Sequence, residues 1–402
     1  LKRKSSELLR ILQEVEEGDF TYISGDFPPV LSSARGLYVE DVEGNLYRDL
    51  SSFFGVSMLG HSPDFIREEA VRGFFHGMGD LLPSREKVLL LQELSGLLGG
   101  GWKGLLLSDG SDAVEACLRT AFLFRGGRRI IAFEGAYHGT SLGSLPSTYS
   151  RKFREKVEKI LPFAAAFFPF KSGSLKEIEE EVKKGDVFAI IIEPIQGRAG
   201  IRPAPPELLH GLRKITSEYK VPLVFDEVYT GFYKTGKPFA KDLYGVEPDL
   251  IALGKALSAA FPLSACMGKP WVMDAWGKST GEASYTFTFS GNPFFCRVAL
   301  RTLREYERIE AGERARRIQL WMEEGVGRLP GAISHRGIGV LHGFDFGKPG
   351  EGFRAFRWLL KRGWITLPSG LAGEALEIIP PFTVEREVLS EFLMDLSAYL
   401  GL

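Results

Sequence analysis

The chain reads as an α/β protein in which a large, mostly parallel sheet is covered by helices, with a smaller α+β part beside it. Three observations predict this. Short runs such as VFAIIIEP (187–194), VPLVFDEV (221–228) and PDLIALGKAL (248–257) are apolar or nearly so instead of alternating, as strands buried on both faces are. Helical patterns lie between the strand signals, which is the arrangement that links parallel strands by crossovers. After Pro293 this alternation gives way to long amphipathic helices and one further strand pattern. With 402 residues, 44% of them hydrophobic, the length accommodates two or three domains around a sizeable core.

Taken in order, LKRKSSELLRILQEVEEGDF places Leu8, Leu9, Leu12 and Val15 at helical spacing. Charges follow it where a signal peptide would have a cleavage site, so it predicts an amphipathic helix that docks on a partner or on the body of the chain. GLYVEDVEGNLYRDL (36–50) alternates around Glu43, Gly44 and Asn45 and predicts a β-hairpin. Residues 84–98 predict a helix, 105–124 a strand, turn and helix, 128–139 a strand running into a loop, and 207–220 a helix. Beyond Pro293, residues 294–309 and 316–329 predict long helices, 339–346 a strand, 353–363 a helix and 384–400 a last helix. The expected division is 1–62 with the small domain, 63–292 as the large domain and 293–402 as the rest of the small one.

Lys and Arg total 50 against 51 Asp and Glu, a net charge of −1, which offers no broad basic face to nucleic acid or anionic lipid. No stretch reaches the roughly 18 apolar residues of a membrane span. Cys117, Cys266 and Cys296 are odd in number and set in apolar runs, none in a CxxC or beside paired His. They predict packing residues in a reducing, cytoplasmic compartment, and no metal site.

Three places carry chemistry. Ser108-Asp109-Gly110-Ser111-Asp112 turns an apolar strand into a helix. Backbone N–H groups left unpaired there, beside the positive end of the helix dipole, suit a phosphate. Ser108 and Ser111 are equally readable as N-caps. Asp226-Glu227 closes a strand too apolar for an edge, where open parallel sheets bind ligands. An acid there can pair with a protonated ring nitrogen or serve as an ordinary cap. Lys255 lies just past another apolar strand, where a lysine either snorkels or has a lowered pKa and acts as a nucleophile. The separation of 29 positions from Asp226 to Lys255 fits one strand–loop–strand excursion, which lets the two face each other across a bound ring.

Together these residues resemble the class III aminotransferases, pyridoxal 5'-phosphate enzymes of fold type I. The segment from IIIEPIQGRAG to VFDEVYTGFYKTG and on to PDLIALGKAL looks like their signature region. Collinear matches flank it at LGHSP (59–63), SDGSDAVEA (108–116), AYHGTSLGSL (136–145), TFSGNP (288–293) and IIPPF (378–382). The resemblance implies that Lys255 is the Schiff-base lysine and proton shuttle and that Asp226 pairs with the pyridine nitrogen. It implies that Gly110 and Ser111 hold the phosphate and that Tyr137 stacks on the ring. His138 would be a turn residue beside the cofactor, and Glu193 an acid near the ring. Thr288 would reach the phosphate of the neighbouring subunit, which implies a homodimer. The implied reaction moves an amino group from an ω-amine or amino acid donor to a keto acid. An aminomutase of the glutamate-1-semialdehyde type or an amino acid racemase is the alternative within the fold.

Five positions bear on the substrate. Arg198 stands where ornithine- and 4-aminobutyrate-type members have Glu, and Glu377 where they have the Arg that this Glu masks and then releases to an α-carboxylate. With both charges inverted, either the two pair with signs reversed, or Arg198 anchors a carboxylate from the opposite wall and Glu377 favours a distal cationic amine. Tyr229 replaces a Gln that bonds the ring's phenolic oxygen; its hydroxyl makes a similar bond or its ring lines the substrate channel. Phe53 and Phe54 provide an apolar wall for an extended or aromatic amine, or pack the core.

Overall fold

The computed structural model describes residues 3–18, 20–22, 27–73, 82–327, 329 and 333–401. A seven-stranded sheet organises it, in the order Lys103–Leu107, Ser264–Gly268, Leu250–Leu253, Leu223–Asp226, Val187–Ile192, Arg129–Phe133, Ala164–Phe168. Ser264–Gly268 runs antiparallel to both neighbours, while the pairs from Leu250–Leu253 through to Ala164–Phe168 are parallel. Along the central strands alternate residues enter different cores. Ile190, Ile192, Phe225, Ile251 and Leu253 pack with Leu208, Leu209, Leu212 and Ile215 of the Pro206–Tyr219 helix. Ile191, Val224, Ala252 and Cys266 pack with Ala113, Val114, Cys117 and Leu118 of the Gly110–Arg125 helix. Burial on both faces is the reason these strands read as continuous apolar runs.

The predicted hairpin forms, Tyr38–Asp41 against Leu46–Asp49, and belongs to a four-stranded sheet with Leu31–Arg35 and Trp364–Ile365. Trp364 pairs in parallel with Arg48, so residues from the two ends of the chain share one sheet. A second four-stranded sheet, fully antiparallel, holds Ser334–Ile338, Leu341–Asp345, Ala375–Ile378 and Leu367–Ser369. The expected helices are present as Arg85–Leu97, Pro293–Arg308, Ala311–Val326, Glu351–Leu360 and Arg386–Tyr399. The N-terminal helix spans Arg3–Val15 and touches the body through the Ser5 N–H, which donates to Glu43 Oε1 at 3.0 Å. Leu9 is buried while Leu8 and Val15 are exposed.

All three cysteines are buried and free. Distant in sequence, Cys117 and Cys266 meet in space, with 3.3 Å between their sulfurs. Among the described residues no helix is long and apolar enough to cross a membrane.

Candidate active site

Asp226 ends its strand beside Ala252 of the Leu250–Leu253 strand, and Lys255 follows that strand within two residues. The two predicted catalytic groups therefore emerge from adjacent parallel strands at their carboxyl ends. They line one cavity of about 420 Å³ together with Gly110, Ser111, Tyr137, His138, Glu193, Tyr229, Phe53, Phe54 and Arg198. Of the residues to which the resemblance gives a cofactor or substrate role, Thr288 and Glu377 lie outside this lining. Thr288 is exposed. Glu377 is buried and joined to the cavity wall through Tyr229.

The two adjacent acids divide the work. Asp226 Oδ1 accepts the Val228 N–H at 3.1 Å, and Asp226 Oδ2 lies 2.8 Å from His138 Nδ1. Glu227 turns away: it accepts the N–H groups of Ala240 and Lys241 and the Thr230 hydroxyl, so it caps the short Ala240–Tyr244 helix. The contact with Asp226 adds to the turn position expected of His138. It holds the acid, while its own buried Nε2 has no hydrogen-bond partner among the described residues. Only the fold reveals this pairing, since the residues are far apart in sequence; the signal available was a loop histidine following a strand.

The Gly110–Arg125 helix is capped by Asp109, whose side chain accepts the Asp112 N–H, and not by Ser108 or Ser111 as one reading held. Ser111 Oγ is instead engaged by the Thr140 N–H at 3.2 Å. The helix N-terminus thus opens into the cavity. A Cβ on Gly110 would stand 2.7 Å from Val228 Cγ1, so a side chain there would collide with the residue that follows the two acids.

Burial lowers the Lys255 pKa from its ordinary 10.5, against the pull of Asp226 and Glu193. That shift favours the free amine. Its Nζ lies 5.0 Å from the Tyr229 ring centroid, and its backbone has φ +46, an unusual conformation of the kind found at functional sites. Glu193 accepts the N–H groups of Tyr137 and Gly197, tying the ring-bearing loop to the Ile195–Gln196 turn, and burial pushes its pKa up to about 7.

The inverted pair does not form a salt bridge. Among the described residues Arg198 has no ion pair; its guanidinium lies over the rings of Tyr137, at 4.4 Å, and Phe153, at 5.4 Å. Glu377 Oε1 accepts the Tyr229 hydroxyl at 2.9 Å, Oε2 has no hydrogen-bond partner among the described residues, and burial raises the pKa to about 8. Arg198 and Lys255 act on this carboxyl through their charge, but burial outweighs both. Tyr229 spends its hydroxyl on Glu377, leaving its ring as the face toward Lys255.

Phe53 and Phe54 stand in a feature that sequence reasoning missed. Ser52, Phe53, Phe54 and Gly55 all have positive φ, at 44°, 44°, 62° and 74°, a left-handed turn that L-residues resist. Buried donors and acceptors hold it. Asp49 accepts the N–H groups of Ser51 and Phe53 and the Ser51 hydroxyl, Ser52 Oγ donates to the Ile379 carbonyl, and Lys234 Nζ donates to the Gly55 carbonyl. The IIPPF segment contributes further, through the Ile379 N–H to the Leu50 carbonyl. Both phenyl groups are left exposed along the cavity instead of packing in the core.

The family model described as aminotransferase class-III matches residues 23–400. The chain belongs to the class III aminotransferases. Its curated relatives include the acetylornithine aminotransferase of Archaeoglobus fulgidus, 32% identical over 89% of this chain and 92% of that one. They also include the putrescine aminotransferase of Pectobacterium atrosepticum, 33% identical over 88% and 78% of the two chains. Among solved structures, the adenosylmethionine-8-amino-7-oxononanoate aminotransferase of Methanocaldococcus jannaschii superposes with a TM-score of 0.88, covering 98% of this chain and 99% of that one at 24% identity. That likeness shows the fold. This class III aminotransferase is an enzyme, with the α/β architecture of the fold type I transferases. Among its described residues no cluster of three or more metal-ligating side chains occurs.

Proposed function

We propose that this aminotransferase holds pyridoxal 5'-phosphate in the cavity and uses it to move an amino group from a primary amine or amino acid to a keto acid. The observation that carries the reading is a lysine and a buried carboxylate, the latter held by His138, at the ends of adjacent strands in one cavity. The fit is supported by a helix N-terminus for the phosphate and by the unpartnered buried His138 Nε2, a polar atom that invites a further group. Bound there, pyridoxal phosphate would supply an electron sink for the carbon bearing the amine and a place to keep the amino group between half-reactions.

The chain's own part follows from its geometry. Lys255 Nζ would hold the cofactor through its carbonyl carbon, whose oxygen leaves as water, and would carry a proton to and from the substrate carbon once the substrate amine has displaced it. Asp226, steadied by His138 and the Val228 N–H, presents a negative charge to a ring nitrogen and keeps its proton in place. Gly110 and Ser111 offer N–H groups to the phosphate. Tyr137 gives its ring face, while Glu193 and Tyr229 shape the wall beside it. Thr288, exposed and away from its own cavity, reaches the phosphate of the neighbouring subunit in a homodimer. Relatives named for acetylornithine, 2-aminoadipate and putrescine support an amine or amino acid as donor. Buried free thiols support work in the cytoplasm.

The test is spectroscopic. Cofactor-loaded enzyme should absorb in the visible, lose that absorbance to an amine donor and regain it with a keto acid. Lys255→Ala should slow the exchange at least about 100-fold. A protein that takes up no cofactor would defeat the proposal, and bleaching that reverses with no acceptor would favour an aminomutase or racemase.

A further inference from the structure

Beside the catalytic cavity lies a second space of about 450 Å³. The two share Phe53, Phe54 and Arg198 in their walls, so they meet at a neck formed by the left-handed turn on one side and a guanidinium on the other. Beyond the neck the annex is apolar, with Phe27, Phe353, Phe356, Leu360, Ile365 and Leu367 around it. Its size suits an aryl group or a long alkyl chain.

The neck has a definite polarity. Arg198 is exposed, lies over two aromatic rings and has no ion pair among the described residues. Glu377, the acid in the position inverted with it, is committed to Tyr229. A planar cation braced by rings and left without an anion is well disposed to take a carboxylate through two parallel hydrogen bonds. One reacting position at Lys255 must serve two different molecules in turn, the donor and the acceptor. Here each has its own means of recognition, so no charge has to be masked and released between the half-reactions.

We propose that the cavity and the annex form one two-part substrate site, in which Arg198 takes the carboxylate of the keto acid and the annex takes the aryl or long alkyl tail of the amine donor. The proposal rests on the transaminase reading and names its substrate class. The amine end reaches Lys255 while the tail passes the Phe53 and Phe54 wall. The keto acid is short and stops at the neck.

Half-reactions of the holoenzyme, followed by the cofactor's absorbance, test this with 4-phenylbutylamine, propylamine and pyruvate. Phe353 is part-exposed, so Phe353→Ser alters the annex without emptying the core. That variant should lower kcat/KM for 4-phenylbutylamine about ten- to hundredfold more than for propylamine. Arg198→Ala should raise the KM for pyruvate about tenfold or more, with the ratio between the two amines kept, and Arg198→Lys should recover part of the loss. Calorimetric titration with 3-phenylpropionate, which carries both a ring and a carboxylate, should show weaker binding in each variant. Equal losses for the two amines, an unchanged pyruvate KM, or an effect of Phe353→Ser confined to oligomeric state would overturn the proposal. Should no amine react with the wild-type holoenzyme, the transaminase reading falls, and the 3-phenylpropionate titration still decides whether the two-part site exists.

Discussion

A carboxyl sealed in the interior keeps its proton unless cations or several donors answer its charge. Glu377 has one donor, the Tyr229 hydroxyl, and burial carries its pKa from 4.5 to about 8. The native chain therefore binds a proton that the unfolded chain releases across this interval. Its contribution to stability is fully present below the unfolded pKa and is lost as pH rises through the folded one. Glu193 and Glu227, both raised by burial to about 7, act with the same sign. Glu377→Gln keeps the shape and removes one titration, so its melting temperature should fall less than the wild type's between pH 4.5 and about 8. Parallel melting curves over that range would mean that Glu377 does not titrate in the folded chain. The inversion of Arg198 and Glu377 was legible in the sequence as an anomaly. Its outcome was not, because whether two exchanged charges pair depends on what else reaches them, and Tyr229 reaches Glu377 first.

Among elements, the left-handed turn at Ser52–Gly55 is the least expected. A Phe-Phe pair carries no propensity for it, and the groups that enforce it come from Asp49, Lys234 and Ile379, mostly remote in sequence. Left-handed backbone costs about 1–2 kcal/mol for each such residue, and Asn tolerates it better than Phe. Phe54→Asn should leave the melting temperature unchanged or higher, since Phe54 is half-exposed, while weakening turnover of aryl amines. A clear drop in melting temperature would show that the ring, and not the backbone, dominates there. Strands followed a similar logic. Val187–Ile192, Leu223–Asp226 and Leu250–Leu253 were readable because burial on both faces leaves only apolar β-formers. Ser264–Gly268 was not, because its small residues are set by close neighbours: a Cβ on Gly268 would lie 2.6 Å from Leu250 Cδ2. The contact of Asp226 with His138 escaped for the same reason, being a product of the sheet order.

For the whole molecule, the proposed exchange of Thr288 between subunits makes a cavity the property of two chains. Lys255→Ala homodimers should be inactive and Thr288→Asp homodimers weak. A mixed dimer of the two variants would carry one cavity with its own Lys255 and its partner's intact threonine, and co-expression should restore turnover at one of the two sites. Persistent inactivity of purified mixed dimers would place Thr288 in the service of its own chain. The pairing of Trp364 with Arg48 bears on how such a molecule is made. While the chain is being translated, the hairpin strand Leu46–Asp49 has one edge paired with Tyr38–Asp41 long before the partner for its other edge exists, and an open strand edge is prone to join other chains. Asp49, at the end of that strand, also anchors the turn bearing Phe53 and Phe54. The amine-selecting wall would then be among the last parts to set, and nascent chains halted before residue 364 should show it unprotected in hydrogen exchange. If that wall selects the amine, unfinished chains would lack the finished enzyme's means of binding it.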